Sequence, residues 1–274
     1  MRMDGWSPTK HGSNIDVHSF YGSIFLSDAS KPMMMNYGRK LFLIRAIVVA
    51  AVLLALLIAR SLHAQSPVEL DKVLRQLDTA SAKFHSAKAD FNWDQVMTQP
   101  ITDHDVQAGT VYFERTGSTT QMAALIQLHN GQPSPKTIVY KGGLLRVYSQ
   151  RINTIDEFAA NGNNSQYESF LTLGFGGSGK DLQANWEVKL LGMEAIAGVQ
   201  TAKLDLVPKV PSVRNTFSHV TIWVDPARGV SLKQVFFEPD SDYRIATYTN
   251  IRYNEKIDPK IFVITAPGAA IKRH

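Results

Sequence analysis

Residues 219–267 constrain the fold most, because apolar and polar side chains alternate there between short turns. Val220, Ile222 and Val224 occupy every second position, and a turn containing Pro and Gly follows them. Alternation with a period of two between such turns is typical of antiparallel β-strands. We therefore expect a meander with strands at residues 219–224, 232–238, 243–253 and 261–265. Large apolar side chains occur in both alternating sets, so the second face is either buried by protein or able to bind an apolar ligand.

The rest of the downstream chain predicts more strands and a few helices. Apolar residues at helical spacing indicate an amphipathic helix over residues 67–86. Two short helices are expected at 154–159 and 166–175, the second beside a glycine-rich stretch that is typical of a mobile lid or of ordinary core. Further strands are expected at 89–96, 109–115, 121–128, 138–140, 144–148, 186–191 and 201–207. The predicted fold class is mainly β (α+β).

The charge distribution argues against a nucleic-acid partner. Seven of the 29 Lys/Arg and three of the 24 Asp/Glu lie in residues 1–64, which leaves 22 basic and 21 acidic residues in 65–274. This balance offers no basic patch for a phosphate backbone. The chain also contains no cysteine, which excludes thiolate catalysis, disulfides and cysteine-ligated metals.

Residues 35–64 have the pattern of a signal peptide. A basic start is followed by the apolar run Ala46–Ala59 and by a cleavage site after Ala64. We expect residues 1–34 to be a disordered or untranslated leader and residues 65–274 to be the exported domain. A retained membrane anchor is the alternative, because the apolar run approaches the length of a membrane span. Both interpretations place residues 65–274 outside the cytoplasm.

No sequence motif indicates catalysis, a metal or a cofactor. Residues 174–180 match the spacing G-x-x-x-x-G-K of a phosphate-binding loop, but Asp181 stands where the metal-binding hydroxyl is needed. Asp103, His104 and Asp105 have no second histidine at a metal-binding spacing. The chain lacks the G-x-S-x-G motif of a nucleophile elbow. We expect no enzyme activity.

The order of several segments resembles the periplasmic outer-membrane lipoprotein carrier family, the LolA-like proteins. The segments are LDTASAKFHSAKADF (77–91), GTVYFER (109–115), IVYKGGLLRVYS (138–149), LDLVPK (204–209) and YNEKIDPKIFVITAPGA (253–269). The resemblance covers about residues 67–270. It implies an open antiparallel half-barrel with short helices as a lid over an apolar cavity. It also implies a monomeric carrier in the periplasm that takes acylated lipoproteins or lipids from an inner-membrane transporter to an outer-membrane receptor.

The resemblance, together with strand alternation, predicts which residues line the cavity. The candidate lipid-binding residues are Phe91, Trp93, Val111, Phe113, Met122, Ile126, Ile138, Leu145, Val147, Phe170, Leu171, Phe175, Ile222, Val224 and Phe237. Which face of each strand points inward is a choice that a slip of one residue would invert.

A family arginine that ties the lid to the barrel falls on Arg115. By alternation Arg115 shares a face with Val111 and Phe113, so it lies near the cavity mouth if Phe113 faces inward. The alternative is a solvated arginine at a strand end. Two functions remain open: a carrier that shields acyl chains, and a non-carrier envelope sensor or interaction protein of the same fold. Bound lipid would favour the first, and a stable protein complex with an empty cavity would favour the second.

Overall fold

The computed structural model describes residues 67–117, 119–159 and 173–274, which mostly form β-strands. Within these ranges the α-helices are α1 (Pro67–Lys83), α2 (Gly179–Asn185) and α3 (Pro211–Arg214), and 3-10 helices span Gln150–Ile152 and Pro259–Phe262. The strands are β1 (Ser86–Met97), β2 (Asp103–Thr116), β3 (Thr119–His129), β4 (Gln132–Lys141), β5 (Leu144–Ser149), β6 (Thr154–Ala159), β7 (Trp186–Ile196), β8 (Val199–Pro208), β9 (His219–Asp225), β10 (Val230–Phe237), β11 (Tyr243–Tyr253) and β12 (Ala270–Arg273). The predicted leader and signal peptide, residues 1–34 and 35–64, lie outside the described residues. In the part of the chain that is described, no helix is both long and apolar enough to cross a membrane.

The twelve strands form one open sheet. Their order is β12–β6–β5–β4–β3–β2–β1–β11–β10–β9–β8–β7. Neighbouring strands are antiparallel, except that β12 runs parallel to β6. The two end strands, β7 and β12, do not pair with each other, so the sheet does not close into a barrel. This arrangement confirms the predicted mainly-β, open antiparallel half-barrel.

Helix α1 packs against one face of the sheet, which we call the inner face. Val73 and Leu77 of the helix, and Phe84 just after it, are buried. They share one apolar core with inner-face side chains of β1–β3 and β7–β11. Full burial of each such side chain contributes about 1.5–3 kcal/mol. The predicted amphipathic helix is therefore confirmed, and it ends three residues earlier than expected because Ser86 begins β1.

The register of β8–β10 assigns the two faces. Ile222 on β9 pairs with Leu204 on β8 and with Gln234 on β10, and all three are fully or almost fully buried on the inner face. Their neighbours along each strand point to the outer face. The first three strands of the predicted meander are confirmed as β9, β10 and β11, which pair in chain order.

Trp223 marks the outer face of the same strands. It pairs with Lys203 and Lys233, whose ammonium groups lie 4.8 and 4.7 Å from its ring centroid. Its indole N–H donates to Oε2 of Glu194 at 2.8 Å. This hydrogen bond, with a smaller contribution from Lys203, lowers the pKa of Glu194. The cluster joins four strands, β7, β8, β9 and β10, on the outer face.

Residues 154–159 form strand β6, so the predicted helix is wrong there. The segment pairs on both sides, with β5 along one edge and with β12 along the other. Intrinsic propensity is weak compared with such tertiary pairing. The second predicted helix, 166–175, falls mostly outside the described residues, and its described end, 173–175, forms a turn and a β-bridge.

The predicted strand at 261–265 is also wrong. Asp258 caps a 3-10 helix instead, because its side chain accepts a hydrogen bond from the Lys260 N–H. Phe262 is then buried with Ile257 against Ala123 on the outer face of β3. This packing explains the large apolar side chains that the sequence places near the C-terminus.

Candidate functional site

The inner face holds most of the predicted lining residues. Trp93, Ile138 and Leu145 are partly buried and pack against the same core, and Val147 pairs with Ile138. The predicted lining residues that lie buried in the core are Phe91, Val111, Phe113, Met122, Ile126, Phe175, Ile222 and Val224. Phe170 and Leu171 lie outside the described residues. The lining residues on the inner face therefore lie on β1–β5 and on β9, and β11 and β10 lie between these two groups in the sheet.

Phe237 lies on the outer face, which corrects its place among the lining residues. It pairs with His219 and stacks on the imidazole ring with centroids 4.2 Å apart. Gln234 and Phe236 take the inner positions of β10 instead. A register shift between Ser231 and Lys233 exchanges the faces within this strand, so alternation counted from its start assigns its end wrongly.

Phe175 fills the space in front of the inner face. It belongs to residues 173–177, which we call the plug segment. Its side chain is only 1% exposed. The ring stacks on Phe113 with centroids 4.0 Å apart and meets Tyr248 edge-on at 4.9 Å. The predicted apolar surface is thus covered by the chain itself, and a ligand would have to displace this segment.

The plug segment is bound to β10 where β11 does not reach. Strand β11 pairs only with Lys233–Phe237 of β10, so the start of β10 has a free edge on that side. Phe175 forms an antiparallel bridge with Val230 there. The Ser231 N–H donates to the Gly174 carbonyl at 2.6 Å, and the Gly176 N–H donates to the Gly229 carbonyl at 2.9 Å. The plug segment therefore takes the place of a neighbouring strand beside the start of β10, where two backbone hydrogen bonds hold it.

Two glycines allow Phe175 to reach this position. Gly174 and Gly176 have φ angles of +76° and +80°, which favour glycine. A Cβ on Gly176 would lie 2.3 Å from the Phe84 ring, and one on Gly174 would lie 2.6 Å from the Ser231 Cβ. Glycine is required at both positions by conformation and by space.

Arg115 links the plug segment to α1 and β2. It donates to the Ser81 carbonyl at 2.6 Å and to the Gly176 carbonyl at 2.5 Å. The guanidinium carbon lies 5.4 Å from the Phe84 ring centroid. Ser81 adds a hydrogen bond from its hydroxyl to the same Gly176 carbonyl at 2.7 Å. This is the geometry that a latch requires, and its control of opening stays a prediction.

Gln234 is the polar residue of the inner face that sequence reasoning missed. It is 2% exposed. Its Nε2 donates to the Leu173 carbonyl at 2.6 Å, and its Oε1 accepts from the Tyr248 hydroxyl at 3.1 Å. Burial raises the pKa of Tyr248, so its hydroxyl remains a donor. The available signal was its position two residues before Phe236, which places both side chains on the same face of the strand.

The G-x-x-x-x-G-K match is part of the plug segment and the start of α2. Ser178 caps α2 in a reciprocal capping box with Asp181. The Asp181 carboxylate accepts from the Ser178 N–H at 3.1 Å and from its hydroxyl at 2.6 Å. An acid at this position repels an anion, which supports the prediction that the loop binds no nucleotide. Among the described residues, no group of three or more His, Asp or Glu side chains has metal-binding geometry.

No protein-family model matches the sequence, and no curated protein matches it. Similar solved structures include an uncharacterized conserved protein from Thermus thermophilus, at 10% identity and TM-score 0.48 over 74% of this chain and 98% of that chain. They also include a LolA superfamily protein from Nitrosomonas europaea, at 13% identity and TM-score 0.36 over 71% and 97% of the two chains. The MucA/MucB complex of Pseudomonas aeruginosa is similar at 11% identity and TM-score 0.43, over 72% of this chain and 62% of that chain.

The family that the sequence resembles is thus represented among structures similar to this fold. Likeness at these identities concerns the fold alone. The functional proposal below therefore rests on the geometry of the inner face.

Proposed function

We propose that the protein is a periplasmic carrier that shields the acyl chains of lipoproteins, or of other lipids, on its inner face. The observation that carries the proposal is the plug segment. The segment places Phe175, between two glycines, and Leu173 on the apolar surface beside α1, and hydrogen bonds of its backbone join it to β10 and Arg115. Such a segment can leave without disrupting the strand pairing of the sheet, unlike an ordinary core element.

The energies favour replacement of Phe175 by a long acyl chain. Exposing Phe175 and Leu173, both buried in the core, costs about 3 kcal/mol each at most, and burying each methylene of a ligand contributes about 0.8 kcal/mol. About eight methylenes therefore compensate for the loss of the two side chains. A longer chain gains further from Phe113, Tyr248 and the partly buried Leu145.

The cellular setting belongs to the same proposal. The pattern of residues 35–64 supports export, and the resemblance to LolA-like proteins supports an inner-membrane transporter as the donor and an outer-membrane receptor as the acceptor. The chain would act as a monomer between them, without a catalytic residue or cofactor of its own.

The test is the binding of lipid. Native mass spectrometry of protein purified from the cell envelope should detect an acylated ligand. In vitro, Phe175→Ala should bind a fluorescent long-chain acyl probe more tightly than the wild type, because it loses the side chain that competes. Phe237→Ala is the matched control, since it removes an aromatic ring from the outer face and should leave probe binding unchanged.

Two results would count against a carrier. One is the absence of lipid from the native protein together with no probe binding by the Phe175→Ala variant. The other is a stable complex with another protein in which the Gly176 and Ser231 amides, which join the plug segment to β10, stay protected from hydrogen exchange. That result would favour the envelope sensor or interaction protein.

A further inference from the structure

Gln234 and the Ser231 N–H place two hydrogen-bond donors in the centre of an apolar face. Leu173 and Gly174 currently supply the acceptors through their carbonyl oxygens, each at 2.6 Å. A carbonyl oxygen only accepts, so the Gln234 group that faces Leu173 is the NH2 group. The Tyr248 hydroxyl holds the other end of the amide at 3.1 Å and keeps this orientation.

The two donors bind the carbonyl oxygens of adjacent residues, Leu173 and Gly174, so they lie close together. A Cβ added to Gly174 would lie 2.8 Å from Nε2 of Gln234 and 2.6 Å from the Cβ of Ser231. Both residues are buried, Gln234 to 2% exposure and Ser231 completely. Their surroundings on the inner face are apolar, with Ala246 and Ile222 opposite Gln234 in the neighbouring strands.

Departure of the plug segment would leave these donors without acceptors. An unpaired buried donor is costly, so a pure hydrocarbon would be a poor replacement for the plug carbonyls. An ionised carboxylate would satisfy the donors, but neither strand neighbour of Gln234 carries a charge to offset its desolvation. A neutral carbonyl group meets the hydrogen-bonding requirement without that cost.

We propose that Gln234 and the Ser231 N–H form a subsite for the neutral ester or amide carbonyl at the head of a bound acyl chain. This inference rests on the proposed carrier function and names the part of the ligand, beyond its hydrocarbon chain, that is recognised. The plug carbonyls of Leu173 and Gly174 occupy the subsite in the closed protein. Tyr248 is a positioning residue that orients the Gln234 amide.

The test compares methyl laurate with dodecyl methyl ether, which lacks only the carbonyl oxygen. Each displaces a fluorescent acyl probe from the full chain, and the ratio of their dissociation constants measures carbonyl recognition. Both ligands require the same opening of the plug segment, so the cost of opening cancels in the ratio. Sodium laurate at neutral pH provides the charged comparison and should bind more weakly than the ester.

Gln234→Leu should lower the preference for the ester about ten-fold, the effect of one lost buried hydrogen bond. Ser81→Ala is the control, because it removes a hydrogen bond to the plug segment from outside the subsite. It should tighten both ligands and leave their ratio unchanged. Tyr248→Phe should lower the ratio in the same direction as Gln234→Leu and serves if the leucine variant does not fold, which circular dichroism would show.

An unchanged ratio in folded Gln234→Leu or Tyr248→Phe would overturn the carbonyl subsite while leaving the carrier function intact. An equal fall of the ratio in Ser81→Ala would do the same, since it would assign the effect to opening. If the fluorescent probe does not bind, and no ligand binds, to either the wild type or Ser81→Ala, the carrier function itself would be overturned.

Discussion

Replacing Arg115 by leucine should release the plug segment and leave the sheet folded. The variant loses hydrogen bonds to the Ser81 and Gly176 carbonyls. Neither acceptor becomes unpaired, because Gly176 keeps the Ser81 hydroxyl and Ser81 keeps the Phe84 N–H as donors. Each loss therefore costs near the lower end of the range for charged hydrogen bonds, about 1.5 kcal/mol. Since only the Gly176 bond holds the plug segment directly, its opening equilibrium should rise about ten-fold.

Hydrogen exchange measures this opening at defined amides. The Gly176 and Ser231 N–H groups donate across the contact between the plug segment and β10, so their protection should fall about ten-fold in Arg115→Leu. Amides in the β3–β4 pairing should exchange as in the wild type. Arg146→Leu is the matched control, since Arg146 pairs with Glu157 on distant strands. Unchanged protection of Gly176 and Ser231 in the folded Arg115 variant, or an equal loss in the Arg146 variant, would refute the latch.

Three further predictions concern packing and pH. Gly176→Ala should expel the plug segment, because its Cβ would lie 2.3 Å from the Phe84 ring; increased binding of an apolar dye would show this, and unchanged binding would contradict it. Phe175→Ala should lower unfolding stability by about 3 kcal/mol, measured by urea denaturation, and a loss below about 1 kcal/mol would show that Phe175 is poorly packed. The lowered pKa of Glu194, caused first by the Trp223 hydrogen bond, makes a contribution to stability that is complete above the ordinary pKa of 4.5 and is lost as pH falls through the folded value. Acid titration should therefore change Trp223 fluorescence below pH 4.5, and Glu194→Gln should abolish that change.

Strand alternation and the helical stripe were sufficient to predict the class of fold. The alternation of Val220, Ile222 and Val224 gives the strand one apolar face, whichever strands lie beside it. The stripe through Val73 and Leu77 gives the helix an apolar face that has to pack against another apolar surface. Local chemistry also marked the plug segment, since Gly174 and Gly176 on either side of Phe175 indicate a conformation that other residues rarely adopt.

Tertiary structure decided the features that depend on pairing between distant segments. Alternation shows which residues share a face but not which face is covered, so Phe237 and Phe236 exchanged places once the register of β10 was established. Residues 154–159 became a strand because β5 and β12 supply partners on both edges. Gln234 acquired its role only when the chain brought Leu173, 61 residues away in sequence, into contact with it. The amino-acid sequence determined the apolar surface, because hydrophobic periodicity is local; its cover and its buried polar subsite arise from contacts that no local pattern contains.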